Sequence, residues 1–500
     1  MSGNHRTNGT DVTYPTAGWR DPKPARVSFD AWQELFERVP EELVERYHYF
    51  PPNTEAWSKY LFPPQTFAMY GARHLRRLRF DNSLASLRLW GFVQNETERL
   101  FRARQIGRRV VATMGDLGAL PVIVNSFPGC VAFYPDCIWW TPFVMESKVL
   151  FDAAAERGIG DATCFSRAAL GAFAKHSYFP DPELVIASTG ASCDDYAGVE
   201  QLAADIAREV LWVEEPMRRE CRRGTTDAAA GAGHDRNRSC DFGSCPKPTT
   251  PDTAAIALLV AEYGRVIARL ERLTGHSLSE DELRTGIRRA NRVRRLVERL
   301  RGLTYHDAAL PALEMMVVEF GNLHCYSDMD EWPSVLEHLL ATAEERVRAG
   351  TLPLADDALR VVWVTPPADP LLLTYVEDAG ARVVGTEYVI NQALAIIDEA
   401  KPPLEAIAES FMAASLIGSS RSRADSVISQ ARANRAEGVI VSNILGGSHC
   451  SMESGLIAGR VKSELGLPVL EFDVAPPARE IDRQLQTRID AFLEVLRGRR

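Results

Sequence analysis

The spacing of apolar residues changes several times along the chain, and each change predicts a different kind of structure. Near the start, "SFDAWQELFERVPEELVERYHYF" and "NSLASLRLWGFVQNETERLFRARQIG" repeat apolar residues at helical spacing. They predict a helical region over 41–107 behind a disordered tail over 1–40. From about residue 108 the runs shorten. "RRVVATMG" and "PVIVNSF" are short apolar runs of strand type, followed by helical "FVMESKVLFDAAAERG", strand-like "ELVIASTG", a helix and "EVLWVEEP". That alternation predicts an α/β lobe with a parallel sheet over 108–221. Residues 222–252, small and polar as in "GAGHDRNRSCDFGSC", read as a flexible insertion.

A helical region over 253–350 follows, in which Ser279 and Glu282 form a capping-box pattern before a long basic amphipathic helix. Its arginines read as a solvated face. Over 351–500 the alternation returns through "RVVWVTPP", "ARVVGTEYV", "EGVIVSNI" and "LPVLEFDV", closing on a helix. The predicted fold class is therefore α/β: two doubly wound, Rossmann- or flavodoxin-like parallel-sheet lobes with helical N-terminal and middle segments. A cleft between such lobes favours ligands at the carboxyl ends of the strands.

Composition narrows the function classes. A chain of 500 residues with 46% hydrophobic content is long enough for several cores. Its formal charge of -10 argues against a surface built to bind nucleic acid or anionic lipid. No run approaches the roughly 18 apolar residues of a membrane span, and the polar beginning "MSGNHRTNGTDVTYP" has no apolar signal core. A cytoplasmic location is expected.

The nine cysteines are Cys130, Cys137, Cys164, Cys193, Cys221, Cys240, Cys245, Cys325 and Cys450. An odd, sparse set does not read as a disulfide framework, and no two share C-x-x-C spacing. Three of them fall where strands or loops pass into helices. Cys193 follows "ELVIASTGAS", Cys450 follows "GVIVSNILGGSH", and Cys164 lies in "GDATCFSRAALGAF". Helix N-termini favour the thiolate that metal binding requires. Three such thiolates suit a [4Fe–4S] cluster with one open iron, or a zinc site with one further ligand, and spacing fits both.

"DATCFSRAALGAF", "PELVIASTGASCDDYAGVEQLA", "EGVIVSNILGGSHCSMESG", "LPVLEFDV" and "RQLQTRIDAFLE" together resemble the family of 2-hydroxyacyl-CoA dehydratases and class I benzoyl-CoA reductases. The resemblance is to one of its cluster-bearing subunits and runs from about residue 85 to the C-terminus. It implies a [4Fe–4S] cluster on Cys164, Cys193 and Cys450. It also implies electron transfer to an acyl-CoA thioester or aromatic ring through a ketyl-type radical. The implied partners are an identical or paralogous second subunit and an ATP-hydrolysing iron–sulfur activator. No G-x-x-x-x-G-K-[ST] loop is present in the chain, which fits ATP hydrolysis by a partner.

The remaining candidates have ordinary readings beside functional ones. Glu146, in "VMES", is the carboxylate favoured for proton transfer, or a helix-start charge. His324 reads as a proton donor or a structural histidine, and His449 as a neighbour shaping the cluster site. Cys130 and Cys137 read as packing; Trp139 and Trp140 are candidates for lining an acceptor pocket. Cys240 and Cys245 read as incidental thiols in the insertion, and Asp194 and Asp195 as caps of the helix after Cys193. Three alternatives stand beside the dehydratase or reductase reading. They are a double-cubane reductase drawing extra ligands from Cys130, Cys137 or Cys325, a non-catalytic electron-transfer subunit, and a structural zinc protein.

Overall fold

A computed structural model of the protein describes residues 18–47, 61–68, 75–114, 118–135, 148–190, 193–207, 209–217, 252–365, 370–388, 393–447, 449–474 and 481–500. For 45–47, 67–68, 324 and 449–450 it describes the backbone. Near the start, β1 (Arg26–Val27) and β2 (Phe80–Asp81) pair as a short antiparallel ribbon. Two four-stranded sheets then organise the fold. The first contains β3 (Arg109–Met114), β4 (Cys130–Phe133), β5 (Leu184–Thr189) and β6 (Val210–Glu214), ordered β4-β3-β5-β6 and parallel throughout. The second contains β7 (Leu359–Val364), β8 (Ala381–Glu387), β9 (Gly438–Ile444) and β10 (Val469–Val474), ordered β10-β9-β7-β8 and also parallel.

The two orders are the same. In each lobe the first strand is central, the second lies on one side, and the third and fourth lie on the other. The connection from second to third strand must cross the first. Each lobe therefore has a topological switch point, between β3 and β5 in one and between β7 and β9 in the other, where doubly wound folds open a crevice.

Strands covered on both faces are built from near-continuous apolar runs, as these are. In the first sheet Val111 and Ile186 pack against Leu259 and Tyr263 of helix Thr253–Thr274. The alternate residues Val110 and Ala112 pack against Leu170 and Phe173 of helix Arg167–Lys175. In the second, Val361 and Trp363 face the helical body through Leu313 and Leu336, while Val362 and Val441 face Val427 and Ile457. The capping box is present: Ser279 Oγ accepts the Glu282 N–H at 3.3 Å, and Glu282 Oε2 accepts the Ser279 N–H at 2.8 Å.

Three expectations are corrected. "PVIVNSF" contains not a strand but the short helix Leu120–Val124, with Pro121 in its first turn; the strand comes later, at Cys130–Phe133. A run buried on every side carries no periodicity to separate helix from strand. The tail expected through residue 40 gives way at Arg26 to β1 and helix Phe29–Glu37, whose Trp32 is fully buried and stacks on Phe80 at 4.2 Å. The arginines of helix Glu280–Asp307 are not all solvated. Arg294 and Arg301, one heptad apart, lie on its buried stripe with Val297 and Leu300.

Arg294 joins parts far apart in the chain. Its guanidinium donates to the Gly118 carbonyl at 2.7 Å, to Ser410 Oγ at 3.2 Å and to the Ala395 carbonyl. Beside it, helix Pro403–Met412, from the crossing between β8 and β9, packs Ile407 and Phe411 into the first lobe's core. Among the described residues no helix is long and apolar enough to cross a membrane.

Candidate functional site

Cys193 and Cys450 occupy matching places. Each follows the third strand of its lobe: β5 runs through Gly190 to Cys193, and β9 runs through Gly446 to helix His449–Met452, which contains Cys450. Both glycines have positive φ, +121° at Gly190 and +77° at Gly446, and both are pressed against other backbone. A β-carbon on Gly190 would stand 2.5 Å from the Glu215 carbonyl oxygen. One on Gly446 would stand 2.7 Å from the Ala162 carbonyl oxygen and 2.8 Å from the Thr163 carbonyl carbon. Only glycine meets both the conformation and the approach at these turns.

The second of these contacts crosses between lobes, because Ala162 and Thr163 immediately precede Cys164. The turn leading to Cys450 thus rests on the loop leading to Cys164. That loop is held from beneath by Arg167, a buried side chain whose guanidinium lies over the Phe151 ring at 4.6 Å. It donates to the Thr163 carbonyl, to the Cys164 carbonyl at 3.4 Å and to Asp161 Oδ1 at 2.7 Å. Burial pulls the pKa of Arg167 down, opposed by Asp161 and by Cys164. The Cys164 sulfur accepts the Ser166 N–H at 3.3 Å and lies 3.2 Å from Ser166 Oγ.

Cys193 takes the N-cap position of helix Asp194–Ala203 with extended backbone, φ -167° and ψ 124°. Asp194 and Asp195 are therefore not caps but first-turn residues, where negative charge suits the helix dipole. Cys164 and Cys193 are both partly exposed. Cys130 and Cys325 differ. Cys130 opens β4, at the amino end of the sheet, and burial pushes its thiol up to about 12. Cys325 caps the end of helix Ala312–His324, buried 3.9 Å from the Arg99 guanidinium, and burial followed by the Glu96 charge pushes its thiol well above the ordinary range. Both stay protonated near neutrality, against the thiolate form that metal ligands need.

His324 ends helix Ala312–His324 and His449 opens helix His449–Met452; the side chains of both, and of Cys450, lie outside the described set. Glu146, Cys137, Trp139, Trp140, Cys221, Cys240, Cys245 and residues 218–251 lie outside it altogether. Among the described residues no group of three or more His, Cys, Asp or Glu side chains stands at metal-binding distances.

Behind the Cys450 segment lies a buried charge chain that the sequence reading missed. Glu387 ends β8, Arg423 lies in helix Ser420–Ala433, and Glu453 caps helix Ser454–Leu465 directly after the Cys450 turn. Arg423 donates to Glu387 Oε1 at 3.0 Å, to Glu387 Oε2 at 2.7 Å and to Glu453 Oε2 at 3.0 Å. Ser420 Oγ donates to Glu453 Oε1 at 2.7 Å. Nearby, Thr365 holds a left-handed φ of 58° at the carboxyl end of β7, an unfavourable conformation for a β-branched residue. Its N–H donates to the Glu387 carbonyl at 2.8 Å, and its carbonyl accepts from Ser442 Oγ at 2.7 Å.

The family described as "2-hydroxyglutaryl-CoA dehydratase, D-component" matches residues 140–496, a span containing Cys164, Cys193 and Cys450, the second half of the first lobe from β5 and all four strands of the second. No curated protein matches the chain. With a match over well more than half its length, the chain belongs to the 2-hydroxyglutaryl-CoA dehydratase D-component family and is a component of a 2-hydroxyacyl-CoA dehydratase-type enzyme.

Proposed function

We propose that this chain is the iron–sulfur subunit of that enzyme, holding one [4Fe–4S] cluster on Cys164, Cys193 and Cys450 at a cleft that receives a 2-hydroxyacyl-CoA thioester. The observation that carries the reading is the contact of the Gly446 turn with Ala162 and Thr163, which brings the Cys450 and Cys164 segments together across the lobes. The donor set fits the group. Cys164 and Cys193 are partly exposed at loop-to-helix and strand-to-helix turns, whereas Cys130 and Cys325 are buried thiols. A backbone N–H already points at the Cys164 sulfur, as suits a thiolate ligand.

When bound, a cluster on three thiolates supplies single low-potential electrons and one open coordination place. The protein's own residues do the rest. Arg167 and Ser166 fix the Cys164 loop, the N-terminus of helix Asp194–Ala203 favours negative charge at Cys193, and the Gly446 turn sets the approach of the two lobes. Glu146, His324 and His449 are the proposed proton-transfer groups. A second subunit, identical or paralogous, and an ATP-hydrolysing activator complete the proposed assembly. Reduction of an acyl-CoA or aromatic thioester in place of dehydration would use the same site.

Iron and acid-labile sulfide per chain test the assignment, measured on protein prepared without oxygen, with electron paramagnetic resonance after reduction. About four of each are expected for one cubane, with loss in Cys164→Ala, Cys193→Ala and Cys450→Ala. A loaded protein that, with an activator, eliminates water from a 2-hydroxyacyl-CoA supports the activity. Zinc alone, or no metal, overturns the assignment.

A further inference from the structure

We propose that Glu453, gripped by Arg423 and Ser420, is the positioning residue that fixes the Cys450 turn for cluster binding, and that Glu387 holds Arg423 without restraining that turn. The proposal rests on the assignment of Cys450 as a cluster ligand. Its support is the asymmetry of the chain Glu387–Arg423–Glu453. Both carboxylates neutralise the same buried guanidinium, yet they stand on different elements. Glu387 belongs to β8, an edge strand of the sheet, and also accepts from Ser415 Oγ at 3.3 Å. Glu453 is the single residue between helix His449–Met452 and helix Ser454–Leu465.

A four-residue helix does not hold itself together; its geometry has to come from its ends. Toward β9, Ser451 Oγ of this helix donates to the Ile444 carbonyl at 2.9 Å and the Gly447 N–H just before it donates to the same carbonyl at 2.9 Å. At its end the restraint is Glu453, whose two carboxylate oxygens are taken by Ser420 and Arg423 of one neighbouring helix. Charge-assisted hydrogen bonds of this kind are stronger and more directional than neutral ones. Releasing Glu453 lets the Cys450 turn move against helix Ser420–Ala433, while releasing Glu387 leaves that turn tied.

The test compares Glu453→Gln with Glu387→Gln, each of which removes one carboxylate charge from Arg423. Anaerobically reconstituted protein is assayed for iron and sulfide per chain, for the half-life of its cluster against a ferrous chelator, and for its reduced electron paramagnetic resonance spectrum. Far-ultraviolet circular dichroism checks the fold. Glu453→Gln is expected to fold, to shorten the cluster half-life at least fivefold and to change the g-values; Glu387→Gln is expected to keep the wild-type half-life and spectrum. Equal behaviour of the two overturns the positioning role and leaves a structural ion pair. Should Glu453→Gln not fold, Ser420→Ala decides: a shortened half-life with changed g-values supports the proposal, and wild-type values overturn it. Wild-type protein that takes up no iron overturns the cluster assignment itself, an outcome distinct from either.

Discussion

Gly446 stands so close to Ala162 that a β-carbon on it would lie 2.7 Å from the Ala162 carbonyl, and its φ of +77° already excludes most side chains. Gly446→Ala therefore meets two penalties: about 1–2 kcal/mol for the left-handed conformation and about 1–3 kcal/mol for overpacking against backbone. The variant is expected to lose about 2–5 kcal/mol of stability by denaturant unfolding. Gly455→Ala, nine residues on, has open space at its β-carbon and is expected to unfold as the wild type does.

Arg167→Lys is expected to loosen the Cys164 loop almost as much as Arg167→Ala. The arginine reaches two carbonyls, a carboxylate and a ring face at once, and an ammonium cannot reproduce that fork. A loss of about 1.5–3 kcal/mol is expected from charge-assisted hydrogen bonds left unmade. Hydrogen exchange at 161–166 would read the loosening locally; exchange unchanged in both variants would refute it.

Thiol reactivity should divide along burial. In unfolding-free conditions, Cys164 and Cys193 of metal-free protein are expected to be alkylated by iodoacetamide at least tenfold faster than Cys130 and Cys325, whose thiols are buried and protonated. Peptide mass spectrometry resolves the four sites. Cluster loading should protect the first pair and leave the second unchanged.

Stability should fall from mildly acidic to mildly alkaline pH through Glu314. Burial, then the nearby Asp81 charge, raises its carboxyl to about 8. Its Oε1 accepts the Asp81 N–H at 2.8 Å, while Oε2 has no partner among the described residues. A group whose folded pKa is raised binds its proton more tightly when folded. Its contribution is complete below its unfolded pKa of about 4.3 and is lost as pH rises through about 8. Buried His338 acts with the opposite sign: burial, then Arg88, lowers it to about 3, so its contribution is present above its unfolded pKa and is lost as pH falls toward 3. Urea midpoints between pH 5 and 8.5 should show Glu314→Gln gaining on the wild type as pH rises; a constant difference would refute the assignment.

Arg294 is the connector whose loss should be seen in cooperativity as well as in stability. Arg294→Met keeps the stem packed but leaves the Gly118 and Ala395 carbonyls and Ser410 Oγ without their shared donor. A loss of about 2–4 kcal/mol is expected, with unfolding curves from tryptophan fluorescence and circular dichroism that no longer coincide.

The strands of both lobes, β4 excepted, and the cysteine turns were legible in the sequence because they obey local rules. Buried parallel strands are short Val- and Ile-rich runs, and glycine marks the turns after "ELVIAST" and "VIVSNI". What escaped were residues whose role depends on distant partners. Arg294 and Arg301 read as a solvated face, and Arg423 carries no local signal, until the carbonyls and carboxylates that meet them inside are known. "PVIVNSF" failed for the opposite reason, since an apolar run gives helix and strand the same signature. The equivalence of Cys193 and Cys450 rests on strand order, which no short stretch of sequence carries.

Helix Pro403–Met412 belongs by sequence to the second lobe but seats Ile407 and Phe411 among Leu259, Tyr263 and Ile287, beside the first sheet. The halves are thus interleaved, not strung together. A chain cut after residue 350 would leave one fragment with an uncovered apolar groove and the other with a greasy helix projecting into water. Neither piece would be a well-behaved domain, and they would regain solubility together only by trading that helix back.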